Sequence, residues 1–382
     1  MLKQVKFKNF KSFTKETIIS FEMTKSEILS ETNVNNNILK GCCFYGSNAS
    51  GKTNALNAIS LLLDLLFKDG YLNPSLLFTI FNKEKTMYFE YTFEIDNSTI
   101  VYYFEINRQG VFTKELLTLD GNKMLTRLSE SAESFLTENK DYGNDNVDGK
   151  TLFLKKIYFN TRFTSFPTLK KWFDFLKNSI YYNPIREINK VVFFDPNKIK
   201  DISLIDYLEA NGEDEINEFF NEFNFPYTIK YIKPNNQFPI IQSPLESIKF
   251  VRKNMPDIPF FMESYGNTVL LSILPSFLTI IKNGGILAID EFSSGLHNHL
   301  EALLVRYFYK HAKNAQLVFV SHSTNLLKTS LLRPDQVYSV DFDENGSFLN
   351  RFSNEKPRES QNLEKMYLSG VFGGIPLYEN DN

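Results

Sequence analysis

The residues best suited to chemistry form a glycine-containing loop near the start of the chain. Residues 46–53 read Gly-Ser-Asn-Ala-Ser-Gly-Lys-Thr, which is the complete pattern of a phosphate-binding P-loop. The glycines let successive backbone N–H groups turn toward phosphate oxygens. Lys52 is expected to neutralise the β- and γ-phosphates of a nucleotide, and the Thr53 hydroxyl to bind Mg²⁺. The nucleotide-binding residues predicted here are Gly46, Ser47, Asn48, Ala49, Ser50, Gly51, Lys52, Thr53 and Asn54.

Two adjacent acids follow an apolar run far downstream of that loop. Residues 286–289 read Ile-Leu-Ala-Ile, which predicts a strand buried in a parallel sheet, and Asp290 and Glu291 come next. Because a buried charge is costly unless it is paired or metal-bound, two acids at a strand end indicate a ligand site. Asp290 is expected to hold Mg²⁺ through its water shell, and Glu291 to polarise an attacking water. The alternative is a solvated acidic turn.

The elements around these residues suit an α/β fold. An apolar strand over residues 38–45 leads into the P-loop, and residues 52–66 have helical periodicity, which is the context that a functional P-loop needs. Residues 86–119 alternate apolar and polar and predict an antiparallel meander. From residue 265 the pattern is helix, strand, helix, strand, as in a parallel sheet. Three regions are predicted: 1–150 with the P-loop and meander, a mainly helical insertion over 151–250, and 251–382 with the two acids.

Composition indicates a folded cytoplasmic protein. The chain has 382 residues, is 42% hydrophobic and carries a net charge of −3, so it can build a core and lacks a global basic character. Adjacent Cys42 and Cys43 suit buried free thiols better than a disulfide or a metal site. The longest apolar stretch, residues 268–281, is too short to span a bilayer and contains Pro275, so no membrane association is expected.

Six stretches together resemble one family. The chain resembles ABC-type ATPases of the RecF, SMC and OLD-related group, and more narrowly the stand-alone RloA and AbiLi ATPases of bacterial restriction and abortive-infection loci. The stretches that carry this resemblance are residues 8–13, 46–54, 289–291, 294–297, 321–327 and 362–376. The resemblance implies an ABC-type P-loop ATPase head: a mixed or parallel sheet core, an antiparallel β lobe and a small, mainly helical insertion. It also implies ATP and Mg²⁺ as cofactors.

The same resemblance assigns further roles. Ser264 and Gly266, in the sequence Glu-Ser-Tyr-Gly-Asn, resemble the signature motif that reaches the γ-phosphate of the opposite subunit. Residues 293–297 resemble the D-loop at the dimer interface, and His322 resembles the switch histidine that touches the γ-phosphate. The implied catalytic residues are Lys52, Glu291 and His322. The alternatives are a helix-capping serine and a structural histidine.

Two departures from the family pattern point to slow or partner-regulated hydrolysis. ABC-type ATPases carry a Q-loop glutamine between the P-loop and the signature, and no convincing equivalent is present. The region around residues 158–161 is its expected place, where Asn160 is the nearest polar candidate. The signature is also degenerate, since Tyr265 stands where related proteins often carry Asp or Gly.

The resemblance also suggests partners and a cellular role. It implies a homodimer or higher oligomer that sandwiches ATP, and a separate effector such as a Toprim nuclease. About sixty residues follow His322, fewer than a usual domain, so the nuclease is expected on another chain. The favoured function is an ATP-hydrolysing sensor or regulator in anti-phage defence that responds to a phage component.

A second hypothesis is a RecF- or SMC-like ATPase that binds DNA directly in repair or chromosome maintenance. Its sequence support is an N-terminal group of lysines, which also fits a solvated strand edge. These lysines are Lys3, Lys6, Lys8, Lys11 and Lys15. A third hypothesis, a scaffold that binds ATP without hydrolysing it, conflicts with the intact Glu291.

Overall fold

The computed structural model describes residues 1–70, 73–136, 146–183, 192–194, 203–233 and 244–375. The strands are β1 (Leu2–Lys8), β2 (Thr17–Ser20), β3 (Val34–Asn35), β4 (Ile38–Leu39), β5 (Gly41–Gly46), β6 (Thr86–Ile95), β7 (Ser98–Asn107), β8 (Phe112–Leu119), β9 (Asn122–Leu128), β10 (Ser131–Ser134), β11 (Ile180–Tyr182), β12 (Val192–Phe193), β13 (Thr228–Tyr231), β14 (Ile248–Val251), β15 (Ile258–Pro259), β16 (Gly285–Ile289), β17 (Ala315–Val320), β18 (Val337–Asp343) and β19 (Gly346–Arg351). The α-helices are α1 (Ser30–Asn33), α2 (Lys52–Phe67), α3 (Phe153–Asn160), α4 (Pro167–Lys177), α5 (Leu204–Asn211), α6 (Asp214–Glu222), α7 (Tyr265–Asn283), α8 (Asn298–His311) and α9 (Leu363–Leu368).

The central sheet carries the predicted parallel core. Its strand order is β12-β11-β16-β17-β5-β18-β19. The neighbours from β11 to β18 are all parallel, and only the two outer pairs are antiparallel. Strands β5, β16 and β17 are buried along their whole length, which explains their nearly continuous apolar sequences. The prediction of a mixed sheet with a parallel core is therefore confirmed.

A second sheet forms the antiparallel lobe, in the order β10-β9-β8-β7-β6-β1-β2. The predicted meander supplies β6, β7 and β8. Strand β1 lies between β2 and β6, so the alternative explanation of its lysines as a strand edge is wrong. Three of those lysines instead form ion pairs, which leaves less free positive charge for DNA. The pairs are Lys3–Glu22 at 3.2 Å, Lys6–Glu16 at 3.4 Å and Lys8–Glu84 at 2.9 Å.

Helices cover both faces of the central sheet. Helix α2 packs in the core that joins the two sheets, and α7 and α8 pack in a second core on the opposite face. In the described part of the chain, α7 is the helix long and apolar enough to cross a membrane by composition. However, the residues between Val269 and Leu278 are all buried, which is the behaviour of a core helix.

The region predicted as a helical insertion contributes to both cores. Helices α3 and α4 pack in the first core, where the Trp172 ring contacts Phe93 with centroids 5.6 Å apart. Strand β11 joins the central sheet beside β16, and β13, β14 and β15 form a small sheet of their own. A three-residue apolar run is too short for sequence periodicity to separate strand from helix, so β11 was not anticipated. The domain boundaries at 150 and 250 stay a prediction.

Residues 362–375, here called the C-terminal segment, pack back onto the central sheet. The segment begins with α9 and continues into a glycine-containing turn. The Phe372 ring stacks on Phe352 with centroids 3.8 Å apart. The Phe372 carbonyl accepts hydrogen bonds from Ser339 and Asn350, which lie on β18 and β19. Pro376, the last residue of the stretch that carried the family resemblance, lies outside the described residues.

Candidate nucleotide site

The P-loop connects the end of β5 to the start of α2, as its sequence predicts. Gly51 has a φ of 112°, and a Cβ placed there would lie 2.3 Å from the Ser347 hydroxyl oxygen. The same Cβ would lie 2.8 Å from the Ser12 hydroxyl oxygen. Glycine is therefore needed both for the backbone conformation and for space. Because α2 begins at Lys52, the positive end of its dipole faces the loop.

Lys52 is buried against the loop that precedes it. Its Nζ donates hydrogen bonds to the backbone carbonyls of Gly46, at 3.0 Å, and Ser47, at 2.8 Å. Burial lowers the pKa of Lys52, and the carboxylates of Glu291 and Asp290 oppose that effect. The ammonium group is thus positioned over the loop, where a phosphate oxygen can replace the carbonyls as its partner.

The Asp290 carboxylate, at the end of β16, accepts hydrogen bonds from side chains of two other elements, α2 and the end of β11. The Thr53 hydroxyl donates to its two carboxylate oxygens, at 3.0 and 3.2 Å. The Asn183 side-chain amide donates to Oδ2 at 3.2 Å from the end of β11. A buried carboxylate beside a hydroxyl provides the hard oxygen ligands that Mg²⁺ prefers. Thr53 and Asp290 therefore fit the role of magnesium-holding residues, with a nucleotide phosphate supplying further oxygens.

Glu291 and His322 form a close pair near Lys52 of the P-loop. Glu291 has a φ of 57°, a left-handed conformation that is costly for a non-glycine residue and often marks a functional site. Its Oε2 lies 3.7 Å from His322 Nε2. Burial lowers the pKa of His322, and Lys52 lowers it further, whereas Glu291 and Asp290 raise it. The lowered pKa favours the neutral form of His322 at pH 7, in which the ring can accept as well as donate a hydrogen bond.

Residues 321–325, here called the histidine loop, are held by contacts from several directions. The His322 backbone N–H donates to the Ser293 hydroxyl at 3.2 Å. The Tyr45 hydroxyl, on the strand before the P-loop, donates to the Ser323 carbonyl at 3.0 Å. The Thr324 hydroxyl donates to the carboxylate of Glu364, in α9, at 2.7 Å. The position of His322 is therefore coupled to both the P-loop strand and the C-terminal segment.

Ser264 caps α7 and lies on the surface. Its hydroxyl accepts a hydrogen bond from the Asn267 backbone N–H at 3.4 Å, so the helix-cap alternative describes its local role correctly. Its backbone N–H donates to Glu263 rather than to a residue of the P-loop. The next residue, Tyr265, packs on Gly295, where a Cβ would lie 2.6 Å from the ring. The signature-like turn and the D-loop-like segment therefore touch within one subunit, while the role of Ser264 across an interface stays a prediction.

Asn183 is the site residue that sequence reasoning missed. Asn160, the earlier candidate for the Q-loop position, is exposed and donates to the Lys156 carbonyl of its own helix at 2.7 Å. Asn183 instead is buried and contacts Asp290 directly. The sequence signal that could have identified Asn183 was its position directly after a short apolar run, residues 180–182.

The remaining P-loop residues complete the site. Ser50 accepts a hydrogen bond at its carbonyl from the Ser347 hydroxyl at 2.6 Å, and the Asn54 amide donates to the Ser12 hydroxyl at 2.8 Å. Ala49 has a φ of 63°, which belongs to the tight turn of the loop. A cavity of about 280 Å³ lies next to Ser47, Asn48 and His322.

Comparison with known proteins identifies the family. A family model described as "AAA domain, putative AbiEii toxin, Type IV TA system" matches residues 42–328. The chain belongs to this family. The matched range runs from β5 through the histidine loop and so contains the P-loop, Asp290, Glu291 and His322. A search of curated proteins found no match.

Solved structures of SMC heads share the fold. The SMC head domain from Thermotoga maritima is 16% identical, with 91% of this chain and 97% of that chain covered and a TM-score of 0.51. An Smc head bound to the C-winged helix domain of ScpA is 14% identical, with the same coverages of 91% and 97% and a TM-score of 0.55. The predicted ABC-type head fold is thereby confirmed.

Proposed function

We propose that this AAA-family protein binds ATP with Mg²⁺ and hydrolyses it slowly. The observation that carries the proposal is the convergence of the P-loop, Asp290, Glu291 and His322 at one edge of the central sheet. Lys52 binds the β- and γ-phosphates, and Thr53 and Asp290 hold the metal ion, which neutralises phosphate charge when bound. Glu291 orients and polarises the attacking water, and His322, held at 3.7 Å from Glu291, contacts the γ-phosphate.

Two substitutions test this assignment. Lys52→Ala is expected to abolish ATP binding, and Glu291→Gln to retain binding while hydrolysis is lost. Lys68→Ala is the matched control, because Lys68 directly follows α2 at the end opposite the P-loop and pairs there with Asp64 at 2.7 Å. Nucleotide affinity measured by titration calorimetry should be unchanged in that control. Unchanged affinity in Lys52→Ala would overturn the P-loop assignment.

The proposed working unit is a pair of subunits that encloses two ATP molecules, with Ser264 of each subunit at the γ-phosphate of the other. The exposed position of Ser264 at the N-terminus of α7 supports this arrangement. Ser264→Arg and Glu291→Gln chains should each be inactive alone. Mixed together, they should regain about a quarter of wild-type activity, because random pairing leaves one competent site in half of the dimers. Absence of this complementation would contradict composite sites.

The cellular role that we propose is a switch in anti-phage defence that restrains or activates a separate effector, such as a Toprim nuclease. The family description, which names AbiEii and a type IV toxin–antitoxin system, supports this role. The resemblance of residues 362–376 to RloA and AbiLi ATPases supports it as well. ATP-driven closure of the pair would be the two-state element.

Phage challenge of bacteria that carry this gene with its genomic neighbours tests the role. We expect fewer plaques than without the genes, and loss of that protection with Lys52→Ala but not with Lys68→Ala. Protection that persists in Lys52→Ala would separate the defence role from ATP binding. Equal plaque numbers with and without the genes, across a phage panel, would contradict the role itself.

A further inference from the structure

The C-terminal segment forms a wall of the cavity beside the P-loop. The cavity is lined by Ser47 and Asn48 of the P-loop, by His322, and by Tyr367 and Leu368 of the segment. Ser47 and Asn48 belong to the predicted nucleotide-binding loop, and His322 is the residue proposed to contact the γ-phosphate. Residues about 320 positions apart in the sequence, such as Ser47 and Leu368, therefore meet at the same opening.

Several contacts fix the segment in place. The Tyr367 hydroxyl donates to the Gly374 carbonyl at 3.0 Å, and its ring packs on Tyr45 with centroids 5.6 Å apart. The Gly374 N–H donates to the Asp341 carboxylate at 2.8 Å. A Cβ at Gly374 would lie 3.4 Å from the Gly46 Cα, so the turn packs closely on the P-loop itself. The segment is therefore a rigid part of the site's rim.

This rim presents apolar side chains to solvent. Leu368 is 58% exposed and Val371 is 46% exposed, on a segment that is held in place by the buried side chains of Leu363, Tyr367 and Phe372. Single exposed apolar residues are normal, but Leu368 lines the cavity next to Ser47, Asn48 and His322, and Val371 lies three residues further along the same segment. The side chains of Leu368 and Val371 would be covered when another protein closes over the nucleotide.

A second apolar surface lies beside Ser264. Phe261, Met262 and Tyr265 are 63%, 68% and 59% exposed, and they flank the serine that is proposed to reach across the interface. In a two-fold pair, a contact between two different surfaces occurs twice, so each surface serves as the other's complement. Bringing Ser264 to the neighbouring γ-phosphate also brings these side chains to the rim that carries Leu368.

We propose that Leu368 and Val371 form an apolar contact with Met262 and Tyr265 of the partner subunit when two copies of this chain close on ATP. The C-terminal segment is thereby part of the dimer interface and links closure to the position of His322 through the Thr324–Glu364 hydrogen bond. The inference rests on the ATP-bridged pair proposed above, and it adds the residues that complete that pair.

Association of the Glu291→Gln protein with and without ATP and Mg²⁺ provides the test. Adding Leu368→Asp should weaken ATP-dependent association about tenfold or more. The reason is that a charge replaces a leucine that would become buried in both copies of the contact. Association is compared at ATP concentrations that saturate each protein, because Leu368 lines the cavity next to the P-loop and its new charge also acts on a bound nucleotide. Leu128→Asp is the matched control, because Leu128 is 71% exposed on β9 of the antiparallel lobe.

Cross-linking gives an independent readout of the contact. Cys42 and Cys43 are fully buried, so a bis-maleimide should react only with introduced cysteines. A chain with both Leu368→Cys and Met262→Cys should form a covalent dimer that requires ATP, whereas either single variant should stay mainly monomeric on a denaturing gel.

The outcomes separate the two proposals. If the parent associates on ATP and Leu368→Asp associates equally well, the apolar contact is wrong while the ATP-bridged pair stands. If the parent binds ATP but its solution mass and shape do not respond, the paired working unit is wrong and the contact falls with it. Loss of association in Leu368→Asp at saturating ATP, together with the ATP-dependent cross-link, supports the inference.

Discussion

Asn183→Ala is the substitution that best tests how the metal-holding carboxylate is positioned. The Asp290 side chain is buried, and the Asn183 amide donates to its Oδ2 at 3.2 Å while Thr53 donates to both oxygens. A hydrogen bond to a charged group stabilises by about 1.5–3 kcal/mol. Loss of a group that orients a metal-binding carboxylate typically weakens metal affinity or activity about 10- to 100-fold. Because Thr53 remains, we expect about a tenfold loss, the lower end of that range.

The assay is calorimetric titration of ATP into the Glu291→Gln protein, with Mg²⁺ present or replaced by EDTA. The weakening should appear with Mg²⁺ and be small without it, because Asn183 acts on Asp290 and not on the P-loop amides. Asn160→Ala is the matched control: among the described residues, this asparagine donates within its own helix, to the Lys156 carbonyl at 2.7 Å.

Equal affinities in Asn183→Ala and the parent, with Mg²⁺ present, would refute the assignment of Asn183 as the residue that orients Asp290. A loss of the same size in EDTA would show instead that the substitution disturbs the P-loop. A large effect of Asn160→Ala would restore the earlier candidate.

Three further predictions concern the loop, the histidine and the core. Gly51→Ala should impair nucleotide binding and lower the melting temperature, because its Cβ would lie 2.3 Å from the Ser347 hydroxyl oxygen; normal binding would show that the loop can shift. The pKa of His322 is lowered, mainly by burial, below the ordinary histidine value of about 6.5. The rate of hydrolysis should therefore persist as pH falls to about 6.5 and decline only below it. A decline that begins above that pH would contradict a neutral histidine. Arg333→Met should lower the free energy of unfolding by about 3–5 kcal/mol, because it leaves the buried Asp335 carboxylate without its 2.8 Å partner; a change below about 1 kcal/mol in urea denaturation would contradict this.

The Arg333–Asp335 ion pair should contribute less to the stability of the fold at acidic pH. Burial raises the pKa of Asp335, but hydrogen bonds from Arg333 and Thr24 outweigh it, so the net pKa is lowered. A carboxyl group with a lowered pKa stabilises the fold above its unfolded-state value of about 3.9, and that contribution is lost as pH falls below it. The wild-type protein should therefore lose more stability than Arg333→Met on acidification through this range.

The sequence predicts those parts of the site whose geometry is local. The P-loop is one turn between adjacent elements, and Asp290 and Glu291 end a strand whose apolar run is unmistakable, so residue type and spacing suffice. Asn183 was missed because its role depends on β11 pairing with β16, more than 100 residues away. The packing of Tyr265 on Gly295 likewise joins two turns from different elements, which periodicity does not report.

The order of strands explains why residues so far apart in sequence act at one place. Strands β11, β16, β17 and β5 are consecutive neighbours in the central sheet, and all run parallel. Tyr182 is level with Ile289, Ile289 with Phe319, and Phe319 with Cys43, so the four strands end almost in a row. Asn183, the two acids, His322 and the P-loop each follow one of these ends.

Such a row makes the site sensitive to the register of the neighbouring strands. A shift of β17 against β5 changes the distance from His322 to the P-loop, and the register of β11 sets the hydrogen bond from Asn183 to Asp290. The C-terminal segment bridges the same row, because it contacts Gly46 at one end and the histidine loop at the other. Changes in nucleotide state at the γ-phosphate position are therefore expected to reach the rim at Leu368 through two directly packed elements, without any movement of the antiparallel lobe.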